Sequence, residues 1–388
     1  MSSENFRVFF GRFKVIGFQL FLLAFFLEVF SFIVLKSKFL PDVYEASGVN
    51  SPKHLLNQGA DWRSEEMPWG AWHKIDYVDR HSKTCFDVEY VSNNIGARDN
   101  VDYPGDFGKS SIVLLGDSFA EGWGLDHQDT LSSYLQGISR RKVFNLGSAH
   151  TFGPLQYYLV YKNFAPLLPH STLVIGFLPS NDFTDNDPQF ISQFGSHRYR
   201  PYANPRSDGE GYDIIYPSDS IKRSSITRNG FTRFISDTTI RSNAIKLYRN
   251  IKILRQNPVT PASSRVPSYF SGTEDQQRAA VNYLDNIIKF AKDKIGVKNI
   301  ILLSIPVISD FNYSLTPHNI KYKEPLWRTH YKIMSQKLNH FHYVDGLGLV
   351  DKLKADGIEP GSMFLQCDGH WSPLGSRLTA GLIADYLK

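Results

Sequence analysis

Two short runs hold the residue types of nucleophilic acyl transfer. Ile112-Val113-Leu114-Leu115-Gly116-Asp117-Ser118-Phe119 delivers a serine through a glycine turn at the end of an apolar stretch. Cys367-Asp368-Gly369-His370-Trp371 sets a histidine two residues after an aspartate. A serine hydroxyl becomes a useful nucleophile when an imidazole takes its proton, and a carboxylate on the far ring nitrogen fixes the right tautomer. In an extended segment, residues i and i+2 point the same way. Asp368 can therefore reach the Nδ1–H of His370 and leave Nε2 free as base. The same run also reads as a helix start. Ser372-Pro373 ahead of an apolar-periodic segment is an N-cap followed by proline at the first helical position. The two readings are compatible, because a base on the loop entering a helix is held rigidly.

A third run supplies a polar donor. Thr172-Leu173-Val174-Ile175-Gly176-Phe177 is followed by Leu178-Pro179-Ser180-Asn181-Asp182. An asparagine just past a strand end can donate its side-chain N–H to a developing oxyanion; the alternative is a plain turn. Between these runs, Val143-Phe144-Asn145-Leu146-Gly147 leads into Ser148-Ala149-His150-Thr151-Phe152-Gly153-Pro154.

The elements that must position these residues follow from the pattern. Continuous apolar runs rich in Val, Ile and Leu suit strands buried on both faces, as in a parallel sheet. Open sheets of that kind bind ligands at the carboxyl ends of their strands, where Ser118 and Asn181 fall. Further along, Thr273 with Gln276 has capping-box spacing. Ala280, Leu284, Ile287, Ile288 and Ala291 share one helical face. Asn299 to Ser304 is expected as the fourth strand, Trp327 to His340 as a helix, His342 to Val344 as the fifth strand, and Pro373 to Leu387 as the closing helix. Strand–helix alternation implies an α/β fold, a three-layer α/β/α sandwich around a mostly parallel five-stranded sheet.

The order of the four blocks resembles the SGNH (GDSL-type) hydrolase superfamily: Gly-Asp-Ser, a glycine-bearing loop after the second strand, Asn-Asp after the third, and Asp/His near the end. The resemblance covers roughly 110–388, broken by a long insertion. It implies an SGNH/flavodoxin-like sandwich in which Ser118 is nucleophile and His370 general base. The oxyanion donors would be the Ser118 N–H, the Asn181 side chain and a backbone N–H assigned to Gly153, with His150 or Thr151 taking that role after a slip in register. Family members usually carry the aspartate three residues before the histidine. Here Cys367 stands there and Asp368 substitutes, as in SGNH-like enzymes with Asp-x-His-Trp that O-acetylate exported polysaccharides.

Composition fits a folded enzyme. The chain has 388 residues, 21% charged and 14% aromatic, which excludes a disordered polymer. A net charge of +5 with no basic stripe interleaved with aromatics gives no sign of nucleic-acid binding. The twelve histidines show no helical metal-ligand spacing, and Gly116 and Gly122-Trp123-Gly124 lack a phosphate-loop pattern. No cofactor is called for.

The amino end differs in kind. Val15 to Leu35 is almost wholly apolar and long enough to cross a hydrocarbon core of about 30 Å at about 1.5 Å per residue. Arg7, Arg12 and Lys14 precede it, so the positive-inside bias predicts a cytoplasmic tail over 1–14, a single span over 15–35 and an exported body. The length, and the lack of a small-x-small cleavage pattern, favour an uncleaved signal-anchor over a cleaved signal peptide. Glu28 lies within this span. It either snorkels toward the interface or contacts a partner membrane protein, such as a membrane acyltransferase.

Residues 36–109 are expected as a connector and collar, ordered by Trp62, Trp69 and Trp72. Glu89 to Asp99 resembles a segment found upstream of Gly-Asp-Ser in membrane-anchored bacterial SGNH proteins, with Arg98 as an ion-pair partner. Cys85 in the collar and Cys367 beside the catalytic pair are either a disulfide or two buried thiols. The insertion, about 183–270, reads as a lid or recognition segment. His197-Arg198-Tyr199-Arg200-Pro201-Tyr202 in it suits a sugar chain or a surface excursion, and 239–255 has amphipathic-helix spacing. The functions in view are an esterase acting on an acylated small molecule or glycan, an O-acyltransferase modifying an exported polysaccharide, and a non-catalytic accessory that keeps the fold.

Overall fold

The computed structural model describes residues 3–36, 63–83, 85–149, 152–188, 200–207, 211–216, 274–311, 328, 336–366 and 368–387. The chain opens with a long helix, α1 (Ser3–Lys36). Within it, Val15–Val34 is long and apolar enough to cross a membrane, and most of its large apolar side chains, Phe21 and Phe26 among them, are exposed.

Two hairpins form the collar. β1 (Arg63–Met67) pairs antiparallel with β2 (Gly70–His73), and β3 (Tyr77–Lys83) with β4 (Phe86–Ser92). β4 alternates inward Phe86, Val88 and Tyr90 with exposed Asp87 and Glu89, the period-two pattern of a half-buried strand. Trp69 and Trp72 are buried against Phe164.

The central sheet is built from β5 (Ile112–Gly116), β6 (Val143–Gly147), β7 (Thr172–Phe177), β10 (Asn299–Ser304) and β11 (His342–Asp345). Its order is β11-β10-β7-β5-β6, and every pair is parallel. Between β7 and β10 the chain makes a small antiparallel hairpin, β8 (Tyr202–Pro205) with β9 (Tyr212–Ile215). The chain leaves β5 toward the β6 edge and returns to β7 on the other side. That reversal opens a crevice at the carboxyl end of β5, where parallel sheets bind ligands.

Both faces of the sheet are covered. Val113, Leu115, Phe144, Leu146, Leu173 and Ile175 face a layer made by α4 (Pro154–Phe164) and α5 (Glu274–Phe290). The alternate residues Ile112, Leu114, Val143, Val174, Ile301 and Leu303 face α3 (Leu131–Ser139), α7 (Gly348–Ala355) and α8 (Pro373–Ala384). The three-layer sandwich is as expected, with all five strands where the sequence places them. On α5, Ala280, Leu284, Ile287 and Ile288 are buried as their spacing requires. Two short helices, α2 (Ser118–Glu121) and α6 (Ile308–Phe311), sit just past the carboxyl ends of β5 and β10. Thr273, the 239–255 segment and most of the 327–340 segment, expected as a helix, lie outside the described residues.

Candidate active site

The strand end at Gly116 is shaped to drop the chain into a helix at once. Gly116 has φ 154° and would set a side chain against Ala120 Cβ at 2.7 Å. Asp117 caps α2 by accepting the Phe119 N–H at 3.0 Å. Ser118 is the first residue of α2, where a backbone N–H has no intrahelical acceptor. The helix stops after one turn at Gly122, φ 86°. The Trp123 N–H then donates back to the Ser118 carbonyl at 2.9 Å.

The histidine loop arrives from the far end of the chain. Leu365 N–H donates to the His370 carbonyl at 2.7 Å, Ser372 N–H to the Met363 carbonyl at 2.7 Å, and Phe364 bridges Trp371. Ser372 Oγ accepts the Gly375 N–H at the start of α8. The helix start and the Asp368–His370 loop are one structure, so the N-cap and the Asp368–His370 contact occur together.

This loop puts His370 Nε2 2.7 Å from Ser118 Oγ, while Nδ1 bonds Asp368 Oδ1. The Asp368 side chain is 2% exposed and that of His370 23%, so the carboxylate is dry and the base is reachable from solvent. The Phe119 ring lies 4.9 Å from the imidazole, centroid to centroid. The chemistry this allows is removal of the serine proton by a neutral imidazole whose positive charge a buried carboxylate then balances.

Asn181 follows β7 in a tight turn, with its Nδ2 donating to Asp185 Oδ2 at 2.9 Å. A carboxamide nitrogen carries two protons, so the bond to Asp185 uses one and leaves the second able to donate elsewhere. Beneath it, Asp182 is buried, accepting the Leu178 N–H at 2.7 Å and lying 3.0 Å from Tyr157 Oη. Burial pushes the Asp182 carboxyl well above the carboxylate range, with the neighbouring Asp117 adding to the rise. Asp117 itself, 1% exposed, is pushed up to about 6 by burial, opposed by the Phe119 hydrogen bond and by His370.

Gly153 does not serve as expected. It caps α4, and its N–H donates to Gln156 Oε1 at 3.1 Å, so it has no proton to offer. The amides just after β6 are also committed: Gly147 to Asn145 Oδ1 at 3.0 Å, Ser148 to the Gly116 carbonyl at 3.1 Å, and Ala149 to Glu121 Oε2. His150 and Thr151 lie outside the described residues.

Two other expectations change. Arg98 is buried, but its guanidinium donates to the carbonyls of Glu121, Gly122 and Leu125 and stacks over Tyr90 at 3.6 Å, a carbonyl clamp in place of an ion pair. Arg200 and Tyr202, read as suiting either a sugar chain or a surface excursion, are buried, and Arg200 Nη2 donates to the Asp185 carbonyl. His197, Arg198 and Tyr199 lie outside the described residues. Cys85 is disulfide-bonded. The chain has one other cysteine, Cys367, itself outside the described residues.

One residue at the site was not singled out from sequence. Trp123 Nε1 donates to Asp368 Oδ2 at 3.1 Å. The sequence shows only an indole between two glycines, Gly122-Trp123-Gly124; its half-burial, which makes an acceptor valuable, and the acceptor 245 positions away belong to the fold.

No family model matches the chain, and no curated protein matches it. Among solved structures it is similar to a carbohydrate esterase family 2 enzyme with a carbohydrate-binding domain from Corynascus thermopiles (Myceliophthora fergusii). The identity is 12%, covering 76% of this chain and 73% of that one, with a TM-score of 0.38. An alpha/beta hydrolase enzyme from the metagenome of Lake Arreo is 13% identical over 72% and 96%, TM-score 0.37. A member of the lipolytic protein G-D-S-L family from Veillonella parvula is 10% identical over 71% and 97%, TM-score 0.36. Likenesses this distant carry no functional argument, and the weight falls on the side-chain geometry.

Proposed function

We propose that this chain is an SGNH-type serine acyl hydrolase, an esterase held at a membrane by α1 with its α/β body on the extracytoplasmic side. The observation that carries the reading is the continuous hydrogen-bonded line Ser118–His370–Asp368 at the carboxyl end of a parallel sheet.

In this reading an ester carbonyl enters over Ser118. His370 Nε2 takes the hydroxyl proton as Oγ attacks, and Asp368 balances the imidazolium. Charge developing on the carbonyl oxygen meets the Ser118 N–H at the start of α2 and the second Nδ2 proton of Asn181. His370 returns its proton to the leaving alcohol, and the bond from carbonyl carbon to alcohol oxygen breaks. The acyl group stays on Ser118. Water, deprotonated by the same imidazole, then attacks the acyl-serine and releases the acid. The anchor is supported by the apolar stretch Val15–Val34 and by the basic residues before it, Arg7, Arg12 and Lys14.

The test uses the full chain in nanodiscs with an aryl acetate and a fluorophosphonate probe. Release of the aryl alcohol and a probe adduct mapped to Ser118, both abolished by Ser118→Ala, are expected. Turnover that survives Ser118→Ala ends the proposal. Adding an oligosaccharide to the same assay distinguishes hydrolysis from acyl transfer: acceptor-independent release is the expected result, and acetylation of the sugar with no release in its absence replaces esterase by O-acyltransferase.

A further inference from the structure

We propose that Trp123 is a positioning residue for the Asp368–His370 pair, aimed by the collar; this deepens the serine-acyl reading above and rests on it. Asp368 has two carboxylate oxygens. Oδ1 addresses His370 Nδ1, and Oδ2 accepts Trp123 Nε1 at 3.1 Å. The backbone N–H of the same tryptophan donates to the Ser118 carbonyl at 2.9 Å. Nucleophile, base, acid and indole therefore close a ring of hydrogen bonds, and Trp123 joins the two ends of the catalytic line.

A buried carboxylate oxygen left without a donor is costly, and a carboxylate free to rotate presents a poor acceptor to the imidazole. The indole N–H removes both problems. It fixes the plane of the carboxyl group, and it draws charge from Oδ2, which limits how strongly Oδ1 holds the imidazole proton. Among the described residues, the charged and titratable groups near this corner include Asp117, next to Ser118, and His81, whose ring centroid lies 4.3 Å from that of Trp123.

The indole is aimed from outside the catalytic sheet. Gly122 and Gly124, at φ 86° and 74°, let the chain present one large side chain between two sharp turns. Gly124 N–H donates to Tyr90 Oη at 2.7 Å, and Arg98 holds the carbonyls of Glu121, Gly122 and Leu125. Tyr90, His81 and Arg98 all belong to the β3–β4 hairpin and the segment after it. The collar thus fixes the turn and, through it, the acid of the catalytic line.

The test compares the wild-type full chain with Trp123→Phe, which keeps a ring and loses the N–H. A second variant carries benzothienylalanine at position 123, an indole-shaped ring with sulfur in place of N–H. Two readouts are taken: kcat and KM on an aryl acetate, and the downfield proton resonance of His370 Nδ1–H, assigned by its loss in His370→Gln. Losing a hydrogen bond to a charged group should lower kcat roughly 10- to 100-fold with KM little changed. With the indole donor removed from Asp368 Oδ2, the Nδ1–H resonance should move downfield in both variants. Wild-type kcat in both variants overturns the proposal, and so does a lower kcat with an unmoved resonance, which marks a space-filling ring only. If Trp123→Phe does not fold, the benzothienylalanine chain decides alone. The resonance needs no turnover, so a wild-type chain without esterase activity would sink the serine-acyl reading while the positioning of Asp368 is still scored.

Discussion

Asp185 grips the carboxamide of Asn181, Oδ2 accepting Nδ2 at 2.9 Å. The carboxamide cannot turn its oxygen toward the place where negative charge develops without losing that bond. Asn181→Ala should lower kcat about 10²- to 10³-fold, the usual cost of one oxyanion donor. Asp185→Ala should lose less than Asn181→Ala, since the donor survives but wanders. Steady-state kinetics on an aryl acetate checks the ranking. Equal losses, or none for Asn181→Ala, would remove Asn181 from the oxyanion site.

Asp117 gives a pH dependence with a definite sign. Its folded-state value, about 6, is above the ordinary 3.8, so the folded chain binds this proton more tightly than the unfolded one. The associated stability is fully present below about pH 4 and is lost as pH rises toward 6. At most about 3 kcal/mol is at stake. Asp117→Asn lacks the titration while its Oδ1 can still accept the Phe119 N–H. Melting temperatures of the two chains should diverge in favour of the variant between pH 4 and pH 7. A gap that does not change with pH would contradict this.

Cys85 should resist iodoacetamide until a reductant is added, and a non-reducing digest should yield one peptide pair containing Cys85 and Cys367. Cys85→Ser should cost about 2–4 kcal/mol in stability, as removal of a disulfide across a long loop typically does. Two alkylatable thiols in the native chain would overturn the assignment.

Gly147 lies beneath α2, where an added Cβ would come within 2.6 Å of the Ala120 carbonyl carbon. The obstacle is backbone, so the turn carrying Ser118 must move. Gly147→Ala should cost about 1–3 kcal/mol and slow fluorophosphonate labelling. Gly137 in α3 has open space around its Cβ position, and Gly137→Ala should stabilise by roughly 0.5–1 kcal/mol without changing labelling. Thermal melts and labelling rates of the two variants make the comparison.

The legible and illegible parts of this chain divide along physical lines. β5, β7 and β10 were readable because a strand buried on both faces is largely apolar, as Ile112–Leu115, Leu173–Ile175 and Ile300–Leu303 are; β11 is an edge strand with only Val344 buried. Ser118, Asp368 and His370 were readable because their chemistry demands residue types in short runs. Gly153 was misread because a side chain three residues on, Gln156, claims its N–H; the Gln at that spacing was a capping signal that went unused. Arg98 was read as an ion-pair partner, and Arg200 as part of a run suiting a sugar chain or a surface excursion, because sequence shows charge and not which carbonyls converge on it. Trp123 was passed over because its acceptor belongs to the last part of the chain.

That separation has a consequence for synthesis. The strand bearing Ser118 leaves the ribosome 252 positions before the imidazole that its hydroxyl contacts. At about 5–20 residues per second the serine waits many seconds without its base. On the proposed serine chemistry, nascent and truncated polypeptides lacking position 370 have no base for Ser118, and acyl cleavage waits until position 370 has been made and folded.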